Sequence, residues 1–303
     1  MRVVILGANG LLGQSLLSLP TIKKHTIFPL DQQELDITDT KAVVQRFDEI
    51  EPELIVNVAA FNAVDMAESS AEGRQSAFRI NADAVGVLAK VAHTVGATFV
   101  HYSTDYVFDG TSEVPYIETD TPNPLSVYGE SKCKGEEYVL REIDSGLKGY
   151  VIRTSRLFGG ANTKRHGKES FPDLVLRLCG EKRRLEFIDG FEIASPTFAT
   201  DLAVASLELI ASSVPVGLYH RTNSGEASWY AFASEVIASS RQYTIDYTDS
   251  SRTHIDLVKI SSLPSRPAPR PKYSVLGTTK VAPLRPWQEA VREYMSQRDR
   301  AII

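Results

Sequence analysis

The stretch RVVILGANGLLG (residues 2–13) decides the fold, because it joins a short apolar run to a glycine-rich turn. The run RVVIL (2–6) lacks polar alternation and predicts a strand buried on both faces of a parallel sheet. Three glycines follow at a spacing of three, namely Gly7, Gly10 and Gly13. Such a turn lets the backbone approach a pyrophosphate, which the N–H groups and dipole of the next helix (11–19) would bind. A G-x-x-G-x-x-G motif in this position favours a dinucleotide site, although a tight turn without a ligand could use the same glycines.

Similar apolar runs alternate with amphipathic stretches through the first half of the chain. The further predicted strands are 25–30, 53–59, 97–103 and 149–154, and the further predicted helices are 39–50, 75–95 and 126–143. This alternation predicts right-handed crossovers and a doubly wound parallel sheet of the Rossmann type. We therefore expect an α/β protein with a smaller, mostly C-terminal substrate-binding domain.

The pattern changes after residue 155, which suggests where the two regions divide. The later predictions are a helix ending near 210, a strand at 217–222, a helix at 227–240 and a helix beginning near 286. The proline-rich tract 263–276 cannot be regular structure and is expected to lie ordered over a binding surface. We assign the dinucleotide-binding domain to 1–158 with parts of 189–225, and the substrate-binding region to 159–188 and 226–303.

The composition excludes several classes of function. The chain has 303 residues, 43% of them hydrophobic, and a net charge of −5 without a basic stripe, so we expect no nucleic-acid partner. No run approaches the roughly 18 apolar residues that span a bilayer, so we expect no membrane partner. Cys133 and Cys179 make no disulfide framework, and the apolar run before Gly7 is too short for a signal peptide. These features predict a cytoplasmic protein.

Tyr128 and Lys132 are the candidate proton-transfer pair. They are four residues apart on a predicted helix and therefore share a face. A nearby ammonium favours the ionised phenol, so the tyrosine could give a proton to a ketone oxygen that receives a hydride. Such pairs also recur by chance on exposed helices. Here, however, Ser103 or Thr104 ends a predicted strand and could polarise the same oxygen at the carboxyl edge of the sheet.

Asp31 is the candidate contact for the adenosine ribose, because it ends the second predicted strand 18 positions after Gly13. An acidic residue there would favour NAD over NADP. The region DQQELDITD offers alternatives: Asp31 could serve only its own turn, Asp36 could lie beside the adenine, and Asp39 could cap the next helix.

Several motifs together resemble the extended branch of the short-chain dehydrogenase/reductase superfamily, and within it the dTDP-4-dehydrorhamnose reductase family. The motifs are GANGLLG, LDITD (35–39), VNVAAFNAVDMAE (56–68), HYSTDYVFDG (101–110), NPLSVYGESKCKGE (123–136), VIRTSRLFG (151–159), SPTFATDLA (195–203) and RPKYSVL (270–276). The resemblance implies NADPH- or NADH-dependent reduction of the C4 keto group of dTDP-4-dehydro-6-deoxy-L-mannose, a dTDP-4-keto-6-deoxysugar, to dTDP-L-rhamnose.

The resemblance also implies roles for individual residues. Tyr128 would donate the proton, Lys132 would assist it, and Thr104 would hydrogen-bond the reacting oxygen. The cofactor would contact Gly7, Asn9, Gly10, Leu11 and Leu12 through its diphosphate, Asp31, Asp36 and Ile37 through its adenosine, and Ala59, Ala60 and Phe61 along its length, besides Tyr128 and Lys132. The nucleotide-sugar would meet Asp105, the region around Arg153, Ser155 and Arg156, the segment 195–197 and Arg270.

Two departures from the family pattern concern the substrate side. Arg156 stands where the family reads tryptophan, so a guanidinium would stack on the sugar or reach its diphosphate, unless it faces solvent. The loop 159–170 is longer than expected; its Lys164, Arg165 and Lys168 could attract the diphosphate or simply be solvated.

The resemblance also bears on whether the protein binds a metal ion and whether it forms a dimer. Some family members bind Mg²⁺ through glutamates at a dimer interface, but Ser15 and Gln288 occupy two such positions here. Neither side chain replaces a carboxylate for this cation, so we expect no required metal. A homodimer is possible.

Two other functions stay open at this point. The chain could be a reductase for another dTDP-4-keto-6-deoxysugar. Alternatively, it could be a non-catalytic dinucleotide-binding subunit resembling the regulatory subunit of methionine adenosyltransferase, a reading that only the change at Arg156 favours.

Overall fold

The computed structural model describes residues 1–160, 169–212, 214–262 and 265–300. Its centre is a sheet of six parallel strands in the order β2-β1-β3-β4-β5-β9. These strands are β1 (Arg2–Leu6), β2 (Thr26–Leu30), β3 (Leu54–Asn57), β4 (Thr98–Thr104), β5 (Gly149–Thr154) and β9 (Gly217–His220). The predicted Rossmann-type α/β fold is confirmed, and the predicted strands are right to within two residues.

The strand order reverses at β1, which sets the position of the binding crevice. Leu6 at the end of β1 is level with Leu30 of β2 on one side and with Asn57 of β3 on the other. Chain connections leave β1 in opposite directions at this point, so a crevice opens above the carboxyl ends of the strands. The glycine turn lies directly above it.

Helices cover both faces of the sheet. They are α1 (Leu11–Ser18), α2 (Thr40–Ile50), α3 (Val64–Ser69), α4 (Ala71–Phe78), α5 (Ala84–Thr94), α6 (Val127–Asp144) and α8 (Ala199–Ala211). Because side chains alternate along a strand, Val4 packs toward α2, α5 and α6, whereas Val3 packs toward α1 and α8. The strands are therefore buried on both faces, as their apolar sequences predict.

The predicted helix 75–95 is interrupted by a π-helical turn at Arg79–Asp83. At this turn α6 approaches closely, since a Cβ on Gly135 would lie 2.1 Å from the Asn81 carbonyl oxygen. The extra residue turns the Asn81 side chain toward α6 and the end of β3, which matters for the site below.

The second half of the chain builds a separate aromatic core with short strand pairs. The remaining helices are α7 (Phe171–Glu181), α9 (Trp229–Ala238) and α10 (Trp287–Arg300). The remaining strands are β6 (Leu157–Phe158), β7 (Arg184–Ile188), β8 (Thr197–Phe198), β10 (Asn223–Ser224), β11 (Tyr243–Thr244), β12 (Thr253–His254), β13 (Asp256–Ile260) and β14 (Leu284–Pro286). The β7–β13 pair was not predicted, because its two strands carry charges and each has one neighbour. The proposed domain boundaries stay a prediction.

Within the ranges that the structure describes, no helix is both long and apolar enough to cross a membrane.

Candidate active site

The glycine turn leaves the N-terminus of α1 open toward the crevice. Gly7 has a φ of +75°, and a Cβ there would lie 2.7 Å from the Ala59 backbone nitrogen. Only glycine fits this turn, which presses against the end of β3. Gly10 precedes α1 without a side-chain cap, and the first turn of α1 holds no acidic residue. The helix therefore offers free N–H donors to an anion.

A cleft of about 480 Å³ runs from this turn along the ends of β4 and β5 to α6. Its size suits a bound cofactor or small ligand. The predicted site residues that line it are Asn9, Gly10, Leu11, Leu12, Ala60, Thr104, Asp105, Tyr128, Lys132, Ser155 and Arg156. The fold thus brings the glycine turn and the Tyr–Lys pair to one cavity.

The predicted adenosine contacts Asp31 and Asp36 are not among the residues that line this cleft, and both stabilise their own turns. The Asp31 carboxylate accepts from the backbone of Gln33 and from the Asn9 side chain. The Asp36 carboxylate accepts from the backbone and hydroxyl of Thr38, and the backbone hydrogen bond is the main reason that the pKa of Asp36 is lowered.

Other parts of the predicted adenosine side have structural roles. Asp39 caps α2, as the alternative interpretation had it, by accepting from the backbone of Lys41 and Ala42. Ile37 is buried in the core around α2. The adenosine roles of Asp31, Asp36 and Ile37 stay predictions.

Two buried asparagines hold the segment after β3, and the sequence analysis missed both. Asn57 accepts from the Ala59 backbone at 3.2 Å. Asn81 accepts from the Phe61 backbone N–H at 2.8 Å and donates to the Phe61 carbonyl at 3.0 Å. The Asn81 amide also donates to the Ser131 hydroxyl of α6 at 3.0 Å. The segment that contains the predicted cofactor contacts Ala59, Ala60 and Phe61 is therefore tied to α6.

Tyr128 and Lys132 both line the cleft, but the ammonium does not meet the phenol. Lys132 Nζ lies 2.5 Å from the Tyr102 carbonyl oxygen and 3.4 Å from His101 Nε2, beneath β4. Tyr128 Oη lies 3.4 Å from Asn62 Oδ1, to which it donates.

Burial has the largest effect on the protonation of both members of the pair. Burial raises the pKa of Tyr128, a hydrogen bond with Thr104 opposes this, and the charge of Asp105 adds to it. Burial lowers the pKa of Lys132 to about 8. Desolvation therefore has the largest effect on the pKa of both groups in this arrangement, and the assistance that Lys132 would give to Tyr128 stays a prediction.

Thr104 and Asp105 close the cleft beneath Tyr128. Thr104 Oγ1 lies 3.2 Å from Asp105 Oδ1 and accepts from the Tyr106 backbone at 3.2 Å. Asp105 Oδ2 accepts from the Ser274 hydroxyl at 2.6 Å. Burial raises the pKa of Asp105, although that hydrogen bond works against it. Ser274 lies in the proline-rich tract, which therefore does reach the cleft.

Three hydroxyls in the cleft have no hydrogen-bond partner among the residues that the structure describes. The side-chain oxygens of Ser103, Thr154 and Ser155 are buried without a hydrogen bond, and all three residues line the cavity. Buried polar atoms are rarely left unpaired, so this row is suited to a ligand that supplies the missing hydrogen bonds. Ser155 belongs to the predicted substrate contacts and Ser103 was one of two hydroxyls offered for the reacting oxygen, whereas Thr154 was missed.

Arg156 points into the cleft and stacks on Trp229 of α9. Its guanidinium carbon lies 4.1 Å from the centre of the indole, and one nitrogen donates to the Ala227 carbonyl at 2.8 Å. Arg156 has a φ of +42°, which is uncommon for a residue with a side chain. Burial lowers its pKa to about 10, which leaves it charged at neutral pH. The solvent-facing alternative is wrong, and Trp229 was missed because it lies far from Arg156 in sequence.

A second cleft of about 210 Å³ continues from the first at Thr104, Asp105, Tyr128 and Arg156. Its further walls include Asn62, Tyr106, Glu192, Trp229, Arg270 and Ser274. Arg270 is a predicted substrate contact, and its guanidinium forms two hydrogen bonds with Asp65 of α3, at 2.8 and 3.0 Å. These two hydrogen bonds fasten the proline-rich tract to α3.

Two predicted substrate contacts are turned away from the clefts. Arg153 is buried in an ion pair with Glu136 of α6, with N–O distances of 2.6 and 2.8 Å. In the segment 195–197, Ser195 and Thr197 are fully buried, whereas the neighbouring Ala194 lines the second cleft. Within the region predicted to meet the sugar, Arg153 itself is directed into the core by its position in β5, whereas Ser155 and Arg156 line the first cleft.

The predicted basic residues Lys164, Arg165 and Lys168 lie outside the described residues.

Across the described ranges, the acidic, histidine and cysteine side chains nowhere form a group of three or more that could hold a metal ion. Ser15 is buried and donates to the Leu11 carbonyl. The expectation that no metal is required stays a prediction.

Comparisons with known proteins show which family this chain is similar to. The family model described as "RmlD substrate binding domain" matches residues 1–300. The spore coat polysaccharide biosynthesis protein SpsK of Bacillus subtilis is 34% identical over 305 residues, covering 99% of each chain. The dTDP-4-dehydrorhamnose reductase of Escherichia coli is 34% identical over 313 residues, covering 98% of each chain. The solved structure of the Bacillus anthracis dTDP-4-dehydrorhamnose reductase with NADP has a TM-score of 0.84 and 32% identity, covering 98% of this chain and 99% of that chain.

Proposed function

Because this chain belongs to the dTDP-4-dehydrorhamnose reductase family, we propose that it reduces the C4 keto group of dTDP-4-dehydrorhamnose to give dTDP-L-rhamnose. It is an NAD(P)H-dependent oxidoreductase with a Rossmann-type fold. The observation that carries the proposal is the single cavity shared by the uncapped N-terminus of α1, the Tyr128 hydroxyl and Thr104.

The residues present fit a dinucleotide cofactor, which would supply the hydride. The N–H groups at the start of α1 would hold its diphosphate, next to Gly10 and Leu11. The unpartnered hydroxyls of Ser103, Thr154 and Ser155 mark the polar wall of the cavity. Lys132 faces the same space and can hold a ribose hydroxyl. We propose NADPH or NADH as this cofactor.

Tyr128 is suited to donate a proton at neutral pH, because burial raises the pKa of the phenol and keeps it protonated. Tyr128 and Thr104 line the same cavity, and their side chains form a hydrogen bond. A ketone oxygen placed there would accept from both groups. As the carbonyl carbon is reduced, negative charge grows on that oxygen, and the proton of Tyr128 moves to it. The charged form of Lys132 would then stabilise the phenolate that remains.

The second cleft is the proposed place of the sugar nucleotide. Arg156, supported by Trp229, provides a cation that can reach a diphosphate, and Arg270 provides another farther along. Asp105, held by Ser274, can accept from a sugar hydroxyl. These groups favour an anionic, hydroxylated substrate over an apolar one.

Two other candidate functions can be compared with this proposal. A reductase for a different dTDP-4-keto-6-deoxysugar has the same needs, and the polysaccharide role in the name of the related SpsK protein keeps it open. For the non-catalytic regulatory subunit, the change at Arg156 was the sole support, and Arg156 forms part of the cleft wall. A homodimer and a cytoplasmic location stay predictions.

The test is a coupled absorbance assay that follows the loss of NADPH or NADH. dTDP-4-keto-6-deoxyglucose is supplied together with a 3,5-epimerase, and the sugar product is identified. Tyr128→Phe should lower kcat by about 10²–10⁴-fold. Tyr138→Phe is the matched control, because Tyr138 lies on the same helix but packs against Gly86 away from the clefts. Equal rates in Tyr128→Phe and wild type would refute the assigned proton donor, and no turnover in wild type would refute the substrate.

A further inference from the structure

The buried side chains behind Lys132 form a connected set that the proposed reduction does not itself require. Lys132 of α6 crosses to β4, where its Nζ lies 3.4 Å from His101 Nε2. His101 Nδ1 in turn lies 3.2 Å from Asn57 Nδ2 of β3. Asn57 and His101 are fully buried, and Lys132 nearly so. The registers of β3 and β4 place Asn57 directly beside His101.

The proton on His101 can be assigned from its neighbours. The backbone N–H of Ala59 can only donate, and it lies 3.2 Å from the Asn57 side chain, so it faces the amide oxygen. The amide NH₂ of Asn57 must then face His101 Nδ1, which accepts. Burial, helped by the charge of Lys132, keeps the pKa of His101 well below its ordinary value, so the ring is neutral. A neutral imidazole that accepts at Nδ1 carries its proton on Nε2, toward Lys132.

This tautomer favours the neutral form of Lys132 over the charged form. An ammonium and an Nε2–H group are both donors, so they oppose each other across 3.4 Å. A neutral amine can instead accept from His101 Nε2–H and still donate to the Tyr102 carbonyl oxygen. The hydrogen bonds around Lys132 are therefore all satisfied only when it has lost a proton.

The remaining charged and titratable groups near Lys132 are few. Glu136, one turn along α6, opposes the loss of the proton, but its carboxylate is held by Arg153 of β5. Tyr128 precedes Lys132 by one turn and is protonated at neutral pH. None of these groups reverses the effect of burial, which lowers the pKa of Lys132. The Nε2–H group of His101 favours the same loss of a proton.

We propose that Asn57 and His101 are positioning residues, which fix the tautomer that faces Lys132 and thereby set the pH at which Lys132 loses its charge. The kinetic consequence rests on the proposed function. A neutral Lys132 cannot stabilise the phenolate of Tyr128, so kcat/KM for the reduction should fall as the pH rises through the deprotonation of Lys132. The hydrogen-bond arrangement itself does not depend on the identity of the substrate.

The first experiment is nitrogen-15 NMR of histidine-labelled wild-type protein, with the His101 signals assigned by their absence in His101→Phe. We expect a neutral ring protonated at Nε2 from pH 5.5 to 9, flanking the ordinary histidine pKa on both sides. Protonation at Nδ1, or titration to a cation within that range, would refute the proposal. This measurement needs neither substrate nor turnover.

The second experiment reverses the tautomer with Asn57→Asp, whose carboxylate can accept from the Ala59 N–H and from His101 Nδ1–H. His101 Nε2 would then accept from the Lys132 ammonium. We expect the alkaline limb of kcat/KM to move up by roughly one pH unit. The same shift should appear in the carbon-13 signal of the Lys132 Cε, which separates this proposal from the choice of substrate.

The control is the double variant Asn57→Asp/His101→Phe, which keeps the new carboxylate but has no imidazole. A smaller shift in the double variant than in Asn57→Asp supports transmission through His101. An equal shift in both would mean that the charge acts directly and would overturn the role of the tautomer.

Discussion

Replacing Glu136 with alanine should destabilise the protein severely, because it leaves the guanidinium of Arg153 buried without a counter-charge. The two side chains are 2% and 3% exposed, and both oxygens of the carboxylate accept from the guanidinium, at 2.6 and 2.8 Å. Two further neighbours of Arg153 carry no negative charge: His220 Nε2 lies 3.4 Å away, and the Phe108 ring centre lies 5.0 Å away. Neither can replace an anion.

The expected loss in the free energy of unfolding for Glu136→Ala is about 3–5 kcal/mol, the range for breaking one side of a buried pair. The adjacent Glu137 offers a matched control on the same helix. Its ion pair with Lys134 has a similar N–O distance, 2.6 Å, but the side chains are 41% and 52% exposed. Glu137→Ala should therefore lose less than about 1 kcal/mol.

Urea unfolding followed by circular dichroism gives both values. The double variant Arg153→Met/Glu136→Leu removes both charges and fills the space with apolar atoms, so it should recover most of the stability lost in Glu136→Ala. If Glu136→Ala were no worse than Glu137→Ala, burial would not be decisive here. If the double variant were as unstable as the single one, lost packing rather than an uncompensated charge would be the cause.

Two further predictions concern the ligand clefts. Arg156→Lys should raise KM for the sugar nucleotide by roughly tenfold, with a smaller change in kcat, because an ammonium cannot stack flat on Trp229; steady-state kinetics test this, and an unchanged KM would remove Arg156 from the substrate site. Gly7→Ala should weaken NADPH binding by roughly tenfold or more, since a Cβ would clash with the Ala59 backbone as well as strain the positive φ. Gly96→Ala, at a φ of +72° in open space, has only the strain and is the control; fluorescence titration with NADPH compares the two.

The sequence by itself determined the fold of this protein and the position of its binding crevice. The apolar runs, the glycine turn and the spacing of Tyr128 and Lys132 are local patterns, and each predicts a local conformation. Alternation of buried strands with helices then allows few arrangements other than a doubly wound sheet, and the carboxyl ends of its strands define the crevice. This is why the sequence predicts that the glycine turn, Thr104 and Tyr128 lie in one site.

The tertiary structure alone decided where the charged side chains point. Arg153 and Arg156 are three residues apart, yet one is buried against Glu136 and the other enters the cleft, because the chain leaves β5 through a positive φ at Arg156. Lys132 turns toward β4 because the strand offers it a carbonyl oxygen.

The partners of Arg156 and Arg270 could not be predicted from the sequence either, because Trp229 and Asp65 are distant from them along the chain. The orientation of a long, charged side chain depends on competing burial and hydrogen bonds from several elements at once. No local pattern of residues encodes that competition, so it is resolved only when the elements pack together.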